Sequence, residues 1–408
     1  MAFNIPGADA LGAVTGALGL PELNYADLRE KYYDFSNPRA GVVLGGKALD
    51  SAGKGMVVDE VHVELTAGYE ASMASFRIYD VFDSSSGQFF FSKLKKEALL
   101  GNSVELSLGY LDHLELVFVG FVSGVAFGFE NGGLPYIEIT ALDVKGVMMG
   151  GSYAAALTAT TYSAAVKEVL QRTGEGRLQQ MGGITEPPAI SSTPDAELPG
   201  VTAKSSPITV EMVGESDYEF VVRAAKRFNF EFFVDRGKVL FRPAKSDAVP
   251  LMKLSNGAGL RSFRMEYSLN SVVGKIEARA MDPGAGKVIS SCSCFNNTLS
   301  TAGKAKQLMG KGAKVYVDAS ISSQEDAEAR VKSLMEKMSY RLGSLESDSV
   351  GIPDLLPGRF IEVEGFGTPV DNRFYLTAVT HDFSSDGGFV TQLRGCADQV
   401  KTGLDGLI

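Results

Sequence analysis

The chain has 408 residues and is poor in the residue types that most often carry chemistry, with no tryptophan, three histidines and three cysteines. The lack of tryptophan argues against a cleft that stacks sugars. Three cysteines are too few, and odd in number, for a disulfide framework, so we expect synthesis and assembly in a reducing compartment, the cytoplasm. Three histidines leave little material for an activated nucleophile.

Positive charge and long apolar runs are also scarce. The net charge of −10 and the pI near 5.1 disfavour binding to a nucleic-acid backbone, so we expect no specific nucleic-acid binding. No window offers the roughly 18 uninterrupted apolar residues of a membrane-spanning helix, so we expect no membrane insertion by this chain. The apolar start has no basic segment and is broken by Pro6 and several glycines, so we expect no cleaved signal peptide.

Alternation of apolar and polar residues dominates two regions of the chain. From residue 57 to 143, runs such as Val61, Val63 and Leu65 alternate with polar residues and are separated by turn signals rich in glycine, serine and asparagine. The same pattern resumes after Leu260. The spacing predicts antiparallel β-barrels or sandwiches, so the fold class is mainly β with an α+β insertion.

Helical spacing marks the region between them. Tyr162–Arg172 predicts one helix, and the capping box of Ser216 and Glu219 predicts the start of another, which leads into a hairpin around residues 235–237. Residues 182–207 have no periodicity and predict an exposed linker.

These patterns divide the chain into five parts. A further helix is predicted at 323–342 inside the second β region. The predicted parts are an N-terminal apolar segment (1–35), a first β-barrel domain (36–152), an inserted α/β domain (153–255), a second β-barrel domain (256–400) and a C-terminal tail (401–408).

A short internal repeat links the two β regions. The segment Gly101–Leu106 is similar to Gly358–Val363, and each is followed by a turn and another alternating strand. We therefore interpret the two regions as copies separated by an insertion. Three such chains would present six similar units around a ring.

The three histidines do not form a catalytic set in the sequence. His62 and His113 are predicted to be exposed polar positions on a strand or turn. His381 precedes Asp382, but neighbours on a strand point to opposite faces. We therefore predict a structural hydrogen bond for His381.

Motifs for metal or phosphate binding are incomplete. Cys292 and Cys294 share a strand face, yet a zinc site needs four ligands and no second pair of ligands follows. Gly53–Lys54 resembles a phosphate loop, but Ala48 and Gly55 stand where that motif needs glycine and a hydroxyl residue. We predict no catalytic, cofactor-binding or metal-binding residues and no cofactor.

A mixed cluster of charges lies between residues 208 and 247. Acidic and basic residues are equal in number there, which predicts a solvated mixed face rather than a nucleic-acid patch. The basic members are Arg223, Lys226, Arg227, Arg236, Lys238, Arg242 and Lys245, and the acidic members are Glu211, Glu215, Asp217, Glu219, Glu231, Asp235 and Asp247.

Several segments resemble, in order and spacing, the late-control gene D family of phage tails and the hub portion of VgrG spike proteins of contractile injection systems. The resemblance covers residues 55–398. The segments are Ser75–Asp80, Phe118–Val122, Ala141–Asp143, Gly214–Phe220, Gly351–Gly358, Phe374–Leu376, Thr380–Phe383 and Gly387–Thr391.

The resemblance implies a structural baseplate hub of a contractile phage-tail-like particle rather than an enzyme. It implies two tube-protein-like barrels per chain and a homotrimeric pseudo-sixfold ring. The ring would contact a tail tube protein above, a separate spike protein below and other baseplate proteins. We expect the spike to be another polypeptide, because neither an oligonucleotide-fold barrel nor a repetitive β-helix follows Ala397.

Two alternatives remain open at this point. One is a baseplate-associated cell-wall hydrolase that uses carboxylates as general acid and base, and the other is a polymerising tail-tube protein. The apolar segment Phe3–Leu20 is hypothesised to pack against a neighbouring subunit or to line the lumen of the ring.

Overall fold

The computed structural model describes residues 22–49, 56–89, 100–173, 186–194, 210–282, 286–295, 309, 312–318, 321 and 323–400. The predicted fold class, mainly β with an α+β insertion, is confirmed, and a thirteen-stranded sheet runs through both β regions. Gly53–Lys54, Phe3–Leu20 and the tail at 401–408 lie outside the described residues. None of the described helices is both long and apolar enough to cross a membrane.

The first β region follows a short helix, α1 (Tyr25–Lys31), and a 3-10 turn (Tyr33–Phe35). On strand β3 the predicted alternation is confirmed, because Val61, Val63 and Leu65 are buried and the polar residues between them are not. Its strands are β1 (Pro38–Leu44), β2 (Lys47–Ala48), β3 (Val57–Thr66), β4 (Met73–Tyr79), β5 (Phe82–Asp83), β6 (Gln88–Phe89), β7 (Ser103–Tyr110), β8 (His113–Gly128) and β9 (Tyr136–Leu142).

The inserted unit begins directly after β9. Its elements are α2 (Val144–Met148), β10 (Tyr153–Ala156), α3 (Tyr162–Thr173), β11 (Ala189–Ile190), β12 (Glu211–Glu215), α4 (Asp217–Phe228), β13 (Phe230–Asp235) and β14 (Lys238–Pro243). The predicted capping box of Ser216 and Glu219 is present at the start of α4, and the predicted hairpin is β13–β14. Asn229 ends α4 in the left-handed conformation, with φ of 55°.

The described part of the predicted exposed linker, residues 186–194, is exposed or half-buried except at Thr193, but it contains a short strand. There β11 pairs in parallel with β14 and extends the hairpin to three strands. Thr193 is buried and its hydroxyl accepts a hydrogen bond from the backbone N–H of Ser163 at 2.9 Å. Strand β11 was not predicted because two residues are too few to show an alternating pattern.

The second β region carries its own insertion between two strands. Its strands are β15 (Pro250–Asn256), β16 (Gly259–Tyr267), β20 (Gly343–Val350), β21 (Phe360–Val363), β22 (Asn372–Ser384) and β23 (Gly388–Ala397). Between β16 and β20 lie β17 (Lys275–Asp282), β18 (Lys287–Cys294), β19 (Ala313–Val317) and helix α5 (Gln324–Ser339). This small sheet and α5 enclose an apolar cluster of their own, which the sequence pattern did not separate from the second barrel.

The two β regions repeat one strand order. The first repeat (β1, β3, β4, β7, β8 and β9) is arranged β1-β7-β8-β9-β4-β3, and the second repeat (β15, β16, β20 and β21 to β23) is arranged β15-β21-β22-β23-β20-β16. The strands that occupy corresponding places also follow one another in the same order along the chain. The interpretation of the two regions as copies is therefore supported by their topology.

The repeats differ at their first strands. In the second repeat β15 runs parallel to β21 and pairs with β16, which closes a six-stranded barrel. In the first repeat β1 runs antiparallel to β7, and it lies beside β3 without a ladder in the described residues. One apolar core runs through both repeats, and a second fills the inserted unit.

Candidate assembly surfaces

Strand β3 of the first repeat pairs directly with β22 of the second, and we call this ladder the joint. The joint is antiparallel and runs from Thr66 opposite Ala378 to Val61 opposite Phe383. Backbone hydrogen bonds of the sheet therefore continue from one repeat into the other. The two repeats are held in one relative orientation within each chain.

His62 lies in the joint rather than at an isolated exposed position. Its Nδ1 lies 2.6 Å from Oδ1 of Asp382, the residue directly opposite on β22. The hydrogen bond that His62 donates to the Asp382 carboxylate raises the pKa of His62 above its ordinary value. The His62 side chain is 42% exposed, in line with the predicted polar strand position. Its partner was not predicted because Asp382 is more than 300 residues distant in the sequence. His113 is exposed, as predicted.

His381 is fully buried beside the joint. Its Nδ1 lies 2.9 Å from the hydroxyl of Thr391, so the predicted structural hydrogen bond is confirmed. Burial disfavours the charged imidazole and lowers the pKa of His381 to about 4. His381 is therefore neutral at pH 7.

A surface cavity of about 700 Å³ lies between the two repeats at this joint. Two of its carboxylates share one cation, since the Arg77 guanidinium lies 2.6 Å from Glu60 and 3.1 Å from Glu138. The ring of Tyr136 packs against the same guanidinium, with 4.2 Å between its centroid and Cζ. These contacts tie strands β3, β4 and β9 of the first repeat together at the edge of the cavity.

A buried charge cluster joins the inserted unit to the second repeat. Nε of Arg242 donates to Glu231 at 2.6 Å, and its other nitrogens donate to Asp247 and, at 2.7 Å, to the carbonyl oxygen of Gly358. The hydroxyl of Tyr375 donates to Glu231. The prediction of a solvated mixed face is wrong here, because Arg242, Glu231 and Asp247 are at most 4% exposed.

The glycines of the internal repeat occupy matching turns. Gly101 and Gly358 have φ values of 85° and 79° and each stands two residues before a strand. A Cβ at Gly358 would lie 2.7 Å from Cζ of Phe233 in the inserted unit. Glycine is therefore required at that position both by the backbone conformation and by the approach of the inserted unit.

A second buried pair anchors the first repeat to the inserted unit. The carboxylate of Asp143 caps α2 and accepts hydrogen bonds from the backbone N–H groups of Lys145 and Ser72, both at 2.9 Å. The Lys145 ammonium is fully buried and donates to the carbonyl oxygens of Gly68, Glu70 and, at 3.5 Å, Phe232. Burial lowers the pKa of Lys145. The inserted unit is thus clamped to both repeats by buried polar groups.

The cysteines do not gather into a site. Cys292 and Cys294 are exposed on the same face of β18, as predicted, and Cys396 lies on β23. In the described parts of the chain, no three histidine, cysteine or acidic residues are grouped to hold a metal ion.

Comparisons with solved structures show that phage tail proteins share this fold. The chain is similar to the tail protein from Neisseria meningitidis MC58, with a TM-score of 0.60 and 14% identity over 89% of this chain and 97% of that one. It is similar to the prophage MuSo2 43 kDa tail protein from Shewanella oneidensis, with a TM-score of 0.59 and 13% identity over 88% and 98%. Similarity to a chain of the half-lidded Francisella PdpA–VgrG complex has a TM-score of 0.52 and 8% identity over 90% and 60%.

At these identities the similarity establishes the fold, and the predicted resemblance to tail and VgrG-type proteins is confirmed at that level. A family model described as the Alg8 N-terminal domain matches residues 200–385. This stretch is less than half of the chain and starts inside the inserted unit, so it does not define a family for the whole. No curated protein matches the chain.

Proposed function

We propose that this chain is a structural baseplate hub of a contractile phage-tail-like particle. Three copies form a ring with six similar units, which contacts the sixfold tail tube on one side and a separate threefold spike on the other. The observation that carries the proposal is the duplication of one strand order within the chain, with the two copies joined edge to edge. The fold shared with phage tail proteins supports it.

The proposed role is mechanical and requires no catalysis. A ring that transmits force needs large obligate interfaces, typically above about 2,000 Å² each. Continuous sheet and buried ionic clamps inside each chain suit that role, because they resist relative motion of the parts. The proposed domains are the predicted ones with two adjustments: α2 (Val144–Met148) belongs to the inserted unit and β15 (Pro250–Asn256) belongs to the second repeat.

The mass of the purified full chain in solution tests the proposal. We expect a closed trimer by light scattering and by native mass spectrometry, and a threefold ring in negative-stain images. Open-ended oligomers of increasing length would instead support a polymerising tube protein. A chain that stays monomeric at every concentration would contradict the hub.

A test on peptidoglycan separates the hub from the cell-wall hydrolase. We expect no release of soluble fragments by the wild-type protein. The hydrolase would be supported by activity that persists through purification and is lost in the variant Glu138→Gln, which removes a carboxylate of the cavity at the joint.

A further inference from the structure

Lateral pairing shows which positions of the two repeats correspond. In the first repeat one row of paired residues consists of Val63, Ala74, Ala141 and Val122. In the second repeat the corresponding row consists of Met265, Leu345, Gly395 and Leu376. A β-bulge follows directly after Val122 on β8 and directly after Leu376 on β22, so both strands are matched residue by residue.

The joint pairs β3 of the first repeat with β22 of the second. The strands that correspond to them are β16 in the second repeat and β8 in the first. Within the chain, Val63 of β3 lies opposite His381 of β22. By its row, Val63 corresponds to Met265 on β16. By its distance from the bulge, His381 corresponds to Phe127 on β8. A joint built from β16 and β8 would therefore place Met265 opposite Phe127.

Both of these strands have an open edge at the corresponding place. In the described residues, β8 pairs with β7 only as far as Phe121 and has no ladder partner on that edge beyond it. Strand β16 pairs with β15 only as far as Leu260, and the rest of that edge likewise has no ladder partner in the described part of the chain. An open edge presents backbone groups that can pair with another strand.

The side chains at the joint are more buried than those at the corresponding positions of β16 and β8. Val63 and His381 are fully buried in the joint within the chain. Phe127 is 51% exposed, although its ring lies 5.5 Å from that of Phe89, and Met265 is half-buried. A partner strand would cover apolar surface at both positions.

Charges on the outer face do not oppose such pairing. Strand β3 carries His62 and Glu64 on its outer face and is nevertheless paired. Arg264 and Glu266 occupy the corresponding positions on β16 and lie 3.6 Å apart from each other. The residues of β8 that would face them are uncharged, so no like charges meet.

We propose that β16 of one copy of this chain pairs antiparallel with residues 124–128 of β8 of the next copy, with Met265 opposite Phe127. This inference rests on the proposed ring and gives it a register. The contact is head-to-tail, and it repeats between chains the joint that β3 and β22 make within each chain. Six successive equivalent joints then close the ring.

A cysteine cross-link tests this register. The full chain carries Phe127→Cys and Met265→Cys in a background in which the exposed Cys292 and Cys294 are replaced by serine. Residues directly opposite on antiparallel strands have Cβ atoms about 4.5–5.5 Å apart, close enough for a disulfide after a small adjustment. After mild oxidation we expect a covalent trimer that is lost on reduction.

The matched control replaces Phe127→Cys with Ala126→Cys, which moves one thiol to the other face of the sheet. We expect little cross-linking in this control or in either single variant. Urea unfolding of the reduced proteins shows whether each variant is folded.

The outcomes separate the register from the ring. A native trimer in which the 127–265 disulfide does not form would overturn the register and leave the hub standing. Covalent chains longer than three would support the pairing and overturn the closed ring. Monomers without any cross-link would overturn both.

A charge exchange gives a second readout of the same contact. We expect Phe127→Lys and Met265→Glu each to raise the concentration at which the trimer half-dissociates by about tenfold or more. The double variant should recover most of this loss, since the opposite charges would lie face to face. Additive losses in the double variant would contradict the contact.

Discussion

The two repeats share one strand order but fill their cores with different side chains. In the first repeat β4 buries Phe76 and Ile78, whereas the corresponding positions of β20 bury Ser347 and Ser349. The hydroxyl of Ser349 donates to the carbonyl oxygen of Thr391 at 3.1 Å. Backbone ladders therefore preserve the architecture although a buried hydroxyl with a hydrogen bond stands at Ser349 where the first repeat packs Ile78.

We call the buried cluster of Arg242, Glu231 and Asp247 the clamp. It contacts the second repeat through Gly358, and its loss should have the largest effect on stability of the variants compared below. We expect Arg242→Met to lower the free energy of unfolding by about 5 kcal/mol, since Glu231 and Asp247 lose their shared buried cation. Urea unfolding at pH 7 measures it. Restoring neutrality with Glu231→Gln and Asp247→Asn should recover part of the loss.

Arg29→Met is the matched control for the clamp, because Arg29 pairs with Asp34 at the surface with 62% of its side chain exposed. It should cost less than about 1 kcal/mol. Equal losses in the two variants would contradict a role for the clamp in stability.

The next largest difference in stability is expected between substitutions at the corresponding core positions Phe76 and Ser347. Phe76→Ala should cost about 4 kcal/mol, because it removes a fully buried ring and leaves a cavity. Ser347→Ala at the corresponding position should change stability by less than about 1 kcal/mol, because the Ser347 hydroxyl is buried without a hydrogen-bond partner. The urea midpoints of the two variants test this prediction. A larger loss of stability for Ser347→Ala than for Phe76→Ala would contradict it.

Acid should weaken the second repeat through His381. The pKa of His381 is about 4 when folded and about 6.5 when unfolded, so the unfolded chain binds the proton first as the pH falls. About 3 kcal/mol of stability is therefore lost between pH 6.5 and 4. The variant His381→Gln should lack this part of the pH dependence in urea unfolding, and an unchanged slope would rule out His381 as its source.

The pair of His62 and Asp382 should stabilise the fold more at low pH than at high pH, opposite to His381, and its effect should be the smallest of those predicted. The pKa of His62 is raised by Asp382, so the contribution of this pair is fully present below pH 6.5 and is lost as the pH rises through the folded value. The pair is partly exposed, so we expect less than about 1 kcal/mol. Comparison of wild type with His62→Gln at pH 5.5 and pH 8.5 measures it, and a loss that grows with pH would contradict the assignment.

Local signals in the sequence predicted local structure well. The capping box of Ser216 and Glu219 and the hairpin after it were found because their partners lie within a few residues. Strands such as β3 and β7 were found because period-two alternation persists over several residues. The resemblance between Gly101–Leu106 and Gly358–Val363 pointed to the duplication for the same reason. Strand β15 was assigned to the inserted domain instead of the second repeat.

Long-range partnerships were missed. The pairing of His62 with Asp382 was not predicted. Arg242, Glu231 and Asp247 were predicted to lie on a solvated face but are buried. A charged residue carries no local mark of burial, since burial depends on which distant segment packs against it. The separate unit of β17 to β19 with α5 was missed because its strands alternate like those of the barrel around it.

The sequence by itself determined the type of element, the positions of many turns and the presence of two related β regions, because backbone conformation and alternation are local properties. Tertiary structure alone decided that β3 joins β22, that the second repeat closes into a barrel and that charges are buried where the inserted unit docks. These features depend on contacts between segments far apart in the chain, where shape and hydrogen-bond complementarity select the partner.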